Sequence, residues 1–156
     1  MFDVRLDGED DLRRAWSLAL GQVSDGIRTG VQKGVDEGAA EARTRHRYTD
    51  RTGNLTSKTS GRIITSTRGG AEGEIVADAP YASFVEEGTR AHVIVPRRGQ
   101  WLAWERPQGN WHFARQVNHP GSKPYPFMGI AYLKCEAVIV REIEVGVARA
   151  ERVLDE

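Results

Sequence analysis

The four histidines and the single cysteine are the side chains here whose chemistry most often serves metal binding or catalysis. His46, His92, His112 and His119 do not show the HExxH spacing of a zinc site, and Cys135 has no second cysteine. His112 and His119 could meet across a loop, but a lone histidine on a strand is far more often a surface or edge residue. The sequence therefore predicts no metal site.

Motifs of the other common catalytic classes are also missing from the sequence. It contains no P-loop and no GxSxG nucleophile motif. Cys135 lies on an apolar helical stripe, which is typical of a small buried hydrophobe and not of a nucleophile. Four acids on the predicted helices are interpreted as ordinary surface residues: Glu86, Glu87, Glu142 and Glu144. We therefore predict no catalytic residues and no cofactor, and expect that the protein is not an enzyme.

The length and the apolar pattern limit the class of protein. A chain of 156 residues is long enough to bury a core as one domain without metals or disulfides. The sequence shows neither a signal-peptide pattern nor the run of roughly 20 apolar residues that a membrane span requires. We expect a soluble protein made in the cytoplasm, with no membrane contact.

Basic residues are concentrated in the middle of the chain, although the formal net charge is zero. Seven bases face one acid between residues 43 and 68, and six bases face one acid between residues 90 and 123. Phosphate neutralisation by such residues is the main sequence-independent term in nucleic-acid binding. Solvated loops, neutralised by acidic helices of the same or a neighbouring subunit, would show the same pattern. If DNA is the partner, the residues assigned to face it are Arg43, Arg45, Arg47, Arg97 and Arg98.

A long helix is predicted over about residues 8–43. Acidic residues come first, where the helix dipole favours them, and apolar residues then recur at spacings of three or four. Such a helix would be roughly 50 Å long, more than a domain of this size can cover, so it projects or breaks. The apolar residues that set this pattern are Leu12, Trp16, Leu20, Val23, Ile27, Val31 and Val35.

Four glycines lie on this helix at intervals of four residues: Gly26, Gly30, Gly34 and Gly38. Each lowers helix stability by roughly 1 kcal/mol relative to alanine in a helix interior, so we expect another interaction to offset this cost. One interpretation is a shallow strip on which another backbone packs closely, between subunits. The other is that the glycines fray or kink the helix and end its regular part near Ser24.

The middle of the chain predicts short strands and one short helix. A hairpin is indicated over residues 62–77, a two-turn helix near 80–88 with Gly88 as its C-terminal cap, and three further strands over 92–96, 101–105 and 111–118. Three of the four tryptophans lie on these last strands, and aromatic residues at that density are typical of a core or an interface. We assign Trp101 to a subunit interface.

A proline-rich lead-in precedes a second long helix. Pro120, Pro124 and Pro126 restrict the backbone of residues 119–126, so the chain enters the helix along a defined path. Apolar residues then recur at helical spacing to the C-terminal end, although the β-branched residues over 138–147 would also suit a strand. We assign Pro120, Pro124 and Phe127 to a subunit interface. The helical stripe consists of Met128, Tyr132, Cys135, Ile139, Ile143, Val147, Ala150 and Leu154.

Together these elements predict an α+β fold in a single domain, residues 1–156. A small antiparallel sheet of about four to five strands, over residues 50–125, packs against the long N-terminal helix (1–49) and the long C-terminal helix (126–156). One short helix lies between strands.

Three segments resemble a family of tailed-bacteriophage proteins, the tail-completion or head–tail joining (neck and minor tail) proteins. They are TGNLTSK (52–58), PYASFVEEGT (80–89) and VNHPGSKPYPFM (117–128) followed by a long helix. The second and third are the more specific, because the family has a Pro-Tyr-Ala helix ending in Glu-x-Gly-Thr and a His-Pro-Gly segment before its last helix. The resemblance covers roughly residues 50–155 and not the glycine-spaced helix.

The resemblance implies a structural virion protein of the head–tail connector that forms a homo-oligomeric ring around the DNA channel. Its partners would be other copies of itself, neighbouring connector, tail terminator or tail tube proteins, and genomic DNA bound without sequence specificity. It would be assembled in the host cytoplasm, with six or twelve copies in the ring. A free-standing, non-sequence-specific nucleic-acid-binding module is the alternative that the basic residues leave open, and a small hydrolase with a histidine site is a further one.

Overall fold

The computed structural model describes residues 8–44, 50, 52–106 and 109–155. Two long helices, short helices and antiparallel strand pairs confirm the predicted α+β class. The elements follow one another as α1 (Glu9–Thr44), α2 (Asn54–Ser57), β1 (Thr59–Thr67), β2 (Gly70–Ala77), α3 (Ala82–Glu87), β3 (His92–Ile94), β4 (Leu102–Glu105), β5 (Trp111–Ala114), β6 (Val117–His119) and α4 (Phe127–Asp155).

The chain forms two compact units. The first contains α1, α2, the β1–β2 hairpin and α4, and combines Met1–Ala79 with Phe127–Glu156. The second, Pro80–Pro126, is inserted between β2 and α4 and contains α3 and the strands β3 to β6. The single domain over residues 1–156 stays a prediction.

Helix α1 runs without interruption through all four of its regularly spaced glycines. Glu9, Asp10 and Asp11 occupy its first turn, where negative charge offsets the helix dipole, and Arg43 lies in its last turn. The interpretation that the helix breaks near Ser24 is therefore wrong. Tertiary packing provides the helix stability that the low helix propensity of glycine does not. The buried residues of α1 begin at Ala19 and lie mostly in its C-terminal half.

The β1–β2 hairpin lies directly on α1. A Cβ added to Gly61 would overlap the carbonyl group of Val35, and one added to Gly73 would lie 2.8 Å from Val35 Cγ1. Only residues without a side chain allow the sheet to approach the helix so closely. Val35 is 2% exposed at this contact, and Leu55 of α2 is fully buried.

The strands do not form the one sheet of four to five strands that the sequence predicts. Among the described residues they pair as three two-stranded antiparallel sheets, β1–β2, β3–β6 and β4–β5. The first hairpin packs on α1 in unit one, whereas β3 to β6 are strands of three or four residues that pair within unit two. Helix α4 spans residues 138–147, so a strand there is excluded.

Candidate assembly surfaces

The glycine strip of α1 packs against α4 of the same chain. Cβ atoms added along it would contact successive turns of α4 in antiparallel order. At Gly26 the added atom would lie 3.0 Å from Gly146 Cα, at Gly34 3.0 Å from the Cys135 carbonyl oxygen, and at Gly38 2.8 Å from the Ala131 carbonyl oxygen. The two helix backbones are therefore in direct contact over much of their length.

This contact confirms one half of the interpretation of the glycines and corrects the other. The strip is a helix-packing face, as predicted, and Gly30 contributes to it with an added Cβ 3.1 Å from the Ile139 carbonyl oxygen. It is not a subunit interface, because α4 of the same chain fills the space that another copy would need. Phe127 is corrected likewise, since it begins α4 and is only 3% exposed.

The expected stripe of α4 is confirmed only in part. Its members Cys135 and Ala150 are buried and Met128, Ile139 and Ile143 are half-buried, whereas Val147 and Leu154 are exposed. Small side chains at Ala131, Cys135 and Ala150 are buried, and Gly146 is buried with them. Tyr132 of the expected stripe is 65% exposed. The residues of α4 that the α1 backbone contacts directly, such as Ala131 and Gly146, are small, and the larger Phe127 and Val138 are buried beside them.

The two more specific family-like segments meet in unit two. The main chains of Thr89 and Ser122 exchange two hydrogen bonds, of 3.0 and 3.1 Å, and their hydroxyl oxygens lie 3.1 Å apart. The backbone N–H of Tyr125 donates to the Val85 carbonyl of α3 at 2.9 Å. The short helix and the proline-rich segment are thus hydrogen-bonded into one structure.

Two glycines make this meeting possible. Gly88 has φ +73° and ψ −177°, and Gly121 has φ +89°, conformations that residues with a side chain rarely adopt. A Cβ at Gly88 would lie 2.5 Å from the Ser122 carbonyl oxygen, and one at Gly121 would overlap the Thr89 carbonyl. Gly88 caps α3, which confirms the predicted role.

The histidines do not form the pair considered from the sequence. His119 lies opposite His92 across the β3–β6 pair, with ring centroids 5.0 Å apart, whereas His112 stacks on Trp104 in the β4–β5 sheet. The Nδ1–H of His92 donates to the Arg90 carbonyl, and Nδ1 of His119 accepts from the Gly121 N–H. Within the described residues, no three His, Cys, Asp or Glu side chains are grouped so that they could hold a metal ion.

The β4–β5 hairpin presents aromatic side chains on one face. Trp111 and Phe113 alternate with residues of the other face and are 61% and 64% exposed. Trp101 precedes β4 on the same side, and the Arg115 guanidinium lies 5.1 Å from its ring centroid. We call these four residues the aromatic face; Glu105 is paired with Trp111 and lies on the same face.

Unit two has no buried residue among those of residues 80–126 that the structure describes. The aromatic face is therefore not the outer side of a packed core. Pro120 and Pro124, assigned from the sequence to a subunit interface, are exposed, as is Trp101. These residues are accessible to a partner, and their assignment stays a prediction.

A second apolar surface runs along α4 on the side away from the glycines. Its residues, apolar and acidic together, follow a spacing of three and four and are all exposed. The predicted stripe of this helix included two of its residues, Val147 and Leu154, but the spacing alone did not separate the two surfaces. We call it the outer stripe: Ile130, Leu133, Ala137, Val140, Val147 and Leu154, with the acids Glu136, Glu144 and Glu151 among them.

The first turns of α1 form a third exposed apolar surface. Leu12, Trp16 and Leu20 are 58%, 52% and 62% exposed. They continue the side of the helix that α4 covers further along. Because α1 and α4 are antiparallel and Ala19 and Ala150 are both buried, the described part of α4 ends near the level of these turns.

The arginines assigned to DNA have different surroundings. Arg43 is half-buried, and its Nη1 donates to the Thr59 carbonyl at 3.0 Å, so it ties α1 to the start of β1. Arg97 and Arg98 lie in the exposed loop between β3 and β4. Arg45 and Arg47 lie outside the described residues.

The perturbed titratable groups have structural causes. Hydrogen bonds from the Thr56 backbone N–H and hydroxyl, both 2.8 Å, lower the pKa of Asp50 below its ordinary value. The hydrogen bond from Lys33 on α1 lowers the pKa of Glu142 on α4. Burial raises the pKa of the Cys135 thiol, which fits its place in the helix contact.

Comparison of the chain with models of protein families, with curated proteins and with solved structures finds no match. The family resemblance of residues 50–155 stays a prediction. None of the described helices is long and apolar enough to cross a membrane.

Proposed function

We propose that the chain is a structural subunit of the head–tail connector of a tailed bacteriophage, which forms a homo-oligomeric ring that joins or completes the tail around the DNA channel. The observation that carries this proposal is an excess of exposed apolar surface. Among the described residues, 22 large hydrophobic side chains are exposed. The large hydrophobic side chains that are buried there are Val31, Val35, Leu55, Phe127 and Val138.

The distribution of this surface favours a partner over a lone molecule. Monomeric proteins rarely expose contiguous apolar patches larger than a few hundred Å², and such patches usually mark contacts with other molecules. Here the aromatic face, the outer stripe and the first turns of α1 each present large apolar side chains. A subunit whose neighbours cover these surfaces accounts for all three.

The family-like segments support the more specific part of the proposal. The PYASFVEEGT and HPGSKPYPFM segments are joined by the Thr89–Ser122 hydrogen bonds, and each supplies a glycine that the junction requires. The residues behind the resemblance are therefore structural, which suits a subunit that presents rigid surfaces to neighbours.

The test uses particles of a phage that encodes this chain. Mass spectrometry of purified virions should detect the chain at several copies per particle. Deletion of its gene should leave separate heads and tails, or incomplete tails, in electron micrographs. A chain absent from virions, and monomeric alone and with every neighbouring gene product, would contradict the proposal.

A nucleic-acid-binding module is the second candidate, and one observation favours it. Arg115 lies over the exposed Trp101 ring, and the exposed Arg97 and Arg98 belong to the loop that leads to Trp101; stacking rings beside positive charge are the usual means of binding single strands without sequence reading. Titration of the wild-type chain with labelled oligonucleotides over a salt series separates the two. No measurable affinity at low salt removes this candidate.

A further inference from the structure

The outer stripe of α4 carries negative charge and no positive charge. Glu136, Glu144 and Glu151 lie within it, and Asp155 lies at its end. At about 100° of rotation per residue, every lysine and arginine of α4 falls outside the stripe. Two of these bases turn to α1, where Lys134 Nζ lies 3.0 Å from Glu37 Oε2 and Arg141 Nη2 lies 3.8 Å from Glu37 Oε1.

The region of the aromatic face carries the opposite charge. Arg115 belongs to the face itself, and Arg97 and Arg98 lie in the exposed loop that leads to Trp101. Glu105 is the one acid between residues 97 and 115. Each surface thus combines exposed apolar groups with charge of a single predominant sign, and the two signs are complementary.

We propose that the aromatic face of one copy binds the outer stripe of α4 in a second copy, so that Trp101, Trp111 and Phe113 pack on the apolar residues of the stripe while Arg115 faces its glutamates. The inference rests on the proposed function, and it names the two surfaces that hold neighbouring subunits together. The contact is heterologous, because each copy contributes a different surface to each of its two neighbours. Such a contact repeats around a ring when the rotation between copies closes.

The β4–β5 hairpin is too short to cover the whole outer stripe. A strand of four residues is about 13 Å long, whereas the stripe from Ile130 to Leu154 extends over about 36 Å, so the hairpin covers only part of it. The stretch with Val140, Val147 and Leu154 includes both Glu144 and Glu151. We place the contact there, because Glu144 and Glu151 are separated by about 10 Å along the helix, which is within the length of the strands.

A charge-exchange experiment tests the pairing directly. One variant carries Glu144→Lys with Glu151→Lys and so makes the stripe positive. The other carries Arg98→Glu with Arg115→Glu and makes the hairpin region negative. Each variant alone then presents two surfaces of like sign, and we expect the concentration for half-assembly to rise at least about tenfold in sedimentation at about 50 mM salt.

The mixture of the two variants provides the decisive measurement. In an equimolar mixture, the positive stripe meets the negative hairpin at one junction, and the unchanged stripe meets the unchanged hairpin at the next. Assembly should therefore return to the wild-type level, with equal numbers of the two variants in native mass spectra. A control with the stripe variant's change of charge outside both surfaces, Glu72→Lys with Asp78→Lys, should assemble like the wild type.

The outcomes separate this inference from the proposed function. If either variant assembles like the wild type, or if the mixture of two folded variants does not assemble, the pairing is overturned while a wild-type ring still stands. If the hairpin variant instead loses binding of a short oligothymidine and keeps its self-association, the aromatic face is a nucleic-acid surface and the pairing is equally overturned. Wild-type chain that never assembles removes both proposals.

Discussion

The backbone contact between α1 and α4 can be tested at Gly146. A Cβ added there would lie 2.9 Å from the Gln22 carbonyl oxygen and 3.0 Å from Gly26 Cα. Ordinary contacts of carbon atoms are about 3.5–4.0 Å, so Gly146→Ala must separate the helices by about half an ångström. Both contacts are with backbone atoms, which cannot move away by rotating a side chain.

Gly21→Ala provides the matched control. Gly21 lies on α1, and a Cβ added there meets no atom within 4 Å. Both substitutions gain about 1 kcal/mol of helix propensity. Only Gly146→Ala adds an overpacking cost, of about 1–3 kcal/mol. Gly21→Ala should therefore raise the free energy of unfolding by about 1 kcal/mol, and Gly146→Ala should leave it unchanged or lower it by up to about 2 kcal/mol.

The difference between the two variants is the informative quantity, because the propensity term cancels in it. It should be about 1–3 kcal/mol by urea unfolding followed by circular dichroism, or a few degrees or more in Tm. The measurements are made on dilute protein, so that assembly does not add to stability. Combining Gly146→Ala with Gly26→Ala should cost less than the sum of the single changes, because they share one contact. If Gly146→Ala stabilises the chain as much as Gly21→Ala, the helices are not in backbone contact.

Three further predictions concern other parts of the chain. Gly121→Ala should disrupt the junction of the two family-like segments, detected as faster hydrogen exchange at the amides there, whereas Gly99→Ala, also at positive φ but with open space around it, should leave that exchange unchanged. Asp50 has a lowered pKa in the folded state, so it contributes stability that is present above its unfolded pKa of about 4 and is lost as the pH falls through the folded value. Asp50→Asn should therefore lower the free energy of unfolding at pH 7 and flatten the acid side of its pH dependence. An unchanged pH dependence would contradict the role of the Thr56 hydrogen bonds. The Cys135 thiol should react with a thiol reagent only as fast as the helix pair opens, because it is buried and its pKa is raised; immediate reaction of the native protein would be the contrary result.

Local pattern was sufficient for most of the elements. The spacing of apolar residues predicted both long helices, and Gly88 was identified correctly as the end of α3. The glycines at 26, 30, 34 and 38 indicated either a close helix contact or a frayed helix, and the fold confirms the contact, which offsets their cost. These features depend on residues that are near one another in the chain.

The identity of the contacting partners depended on tertiary structure. The same glycine strip suits a second copy or the chain's own last helix, and only the fold shows that α4 occupies it. The buried side of α4 was predicted only in part: Cys135 and Ala150 of the expected stripe are buried, whereas the burial of Ala131 and Gly146, where the two backbones meet, was not expected. Hydrophobicity read from the sequence favours large apolar side chains for burial. It does not show how much space the fold leaves for a side chain at each position.

The aromatic face shows most clearly which features the sequence predicts and which only the tertiary structure reveals. The sequence predicted a strand over 111–118 and showed basic residues near it, and alternation along a strand puts Trp111 and Phe113 on one side. That no core lies behind them could be learned only from the folded chain, in which the described residues of 80–126 include none that is buried. Burial depends on contacts between segments that are distant in sequence. The sequence pattern therefore predicts which side chains are suited to burial, and the tertiary structure determines which of them stay exposed and accessible to a partner.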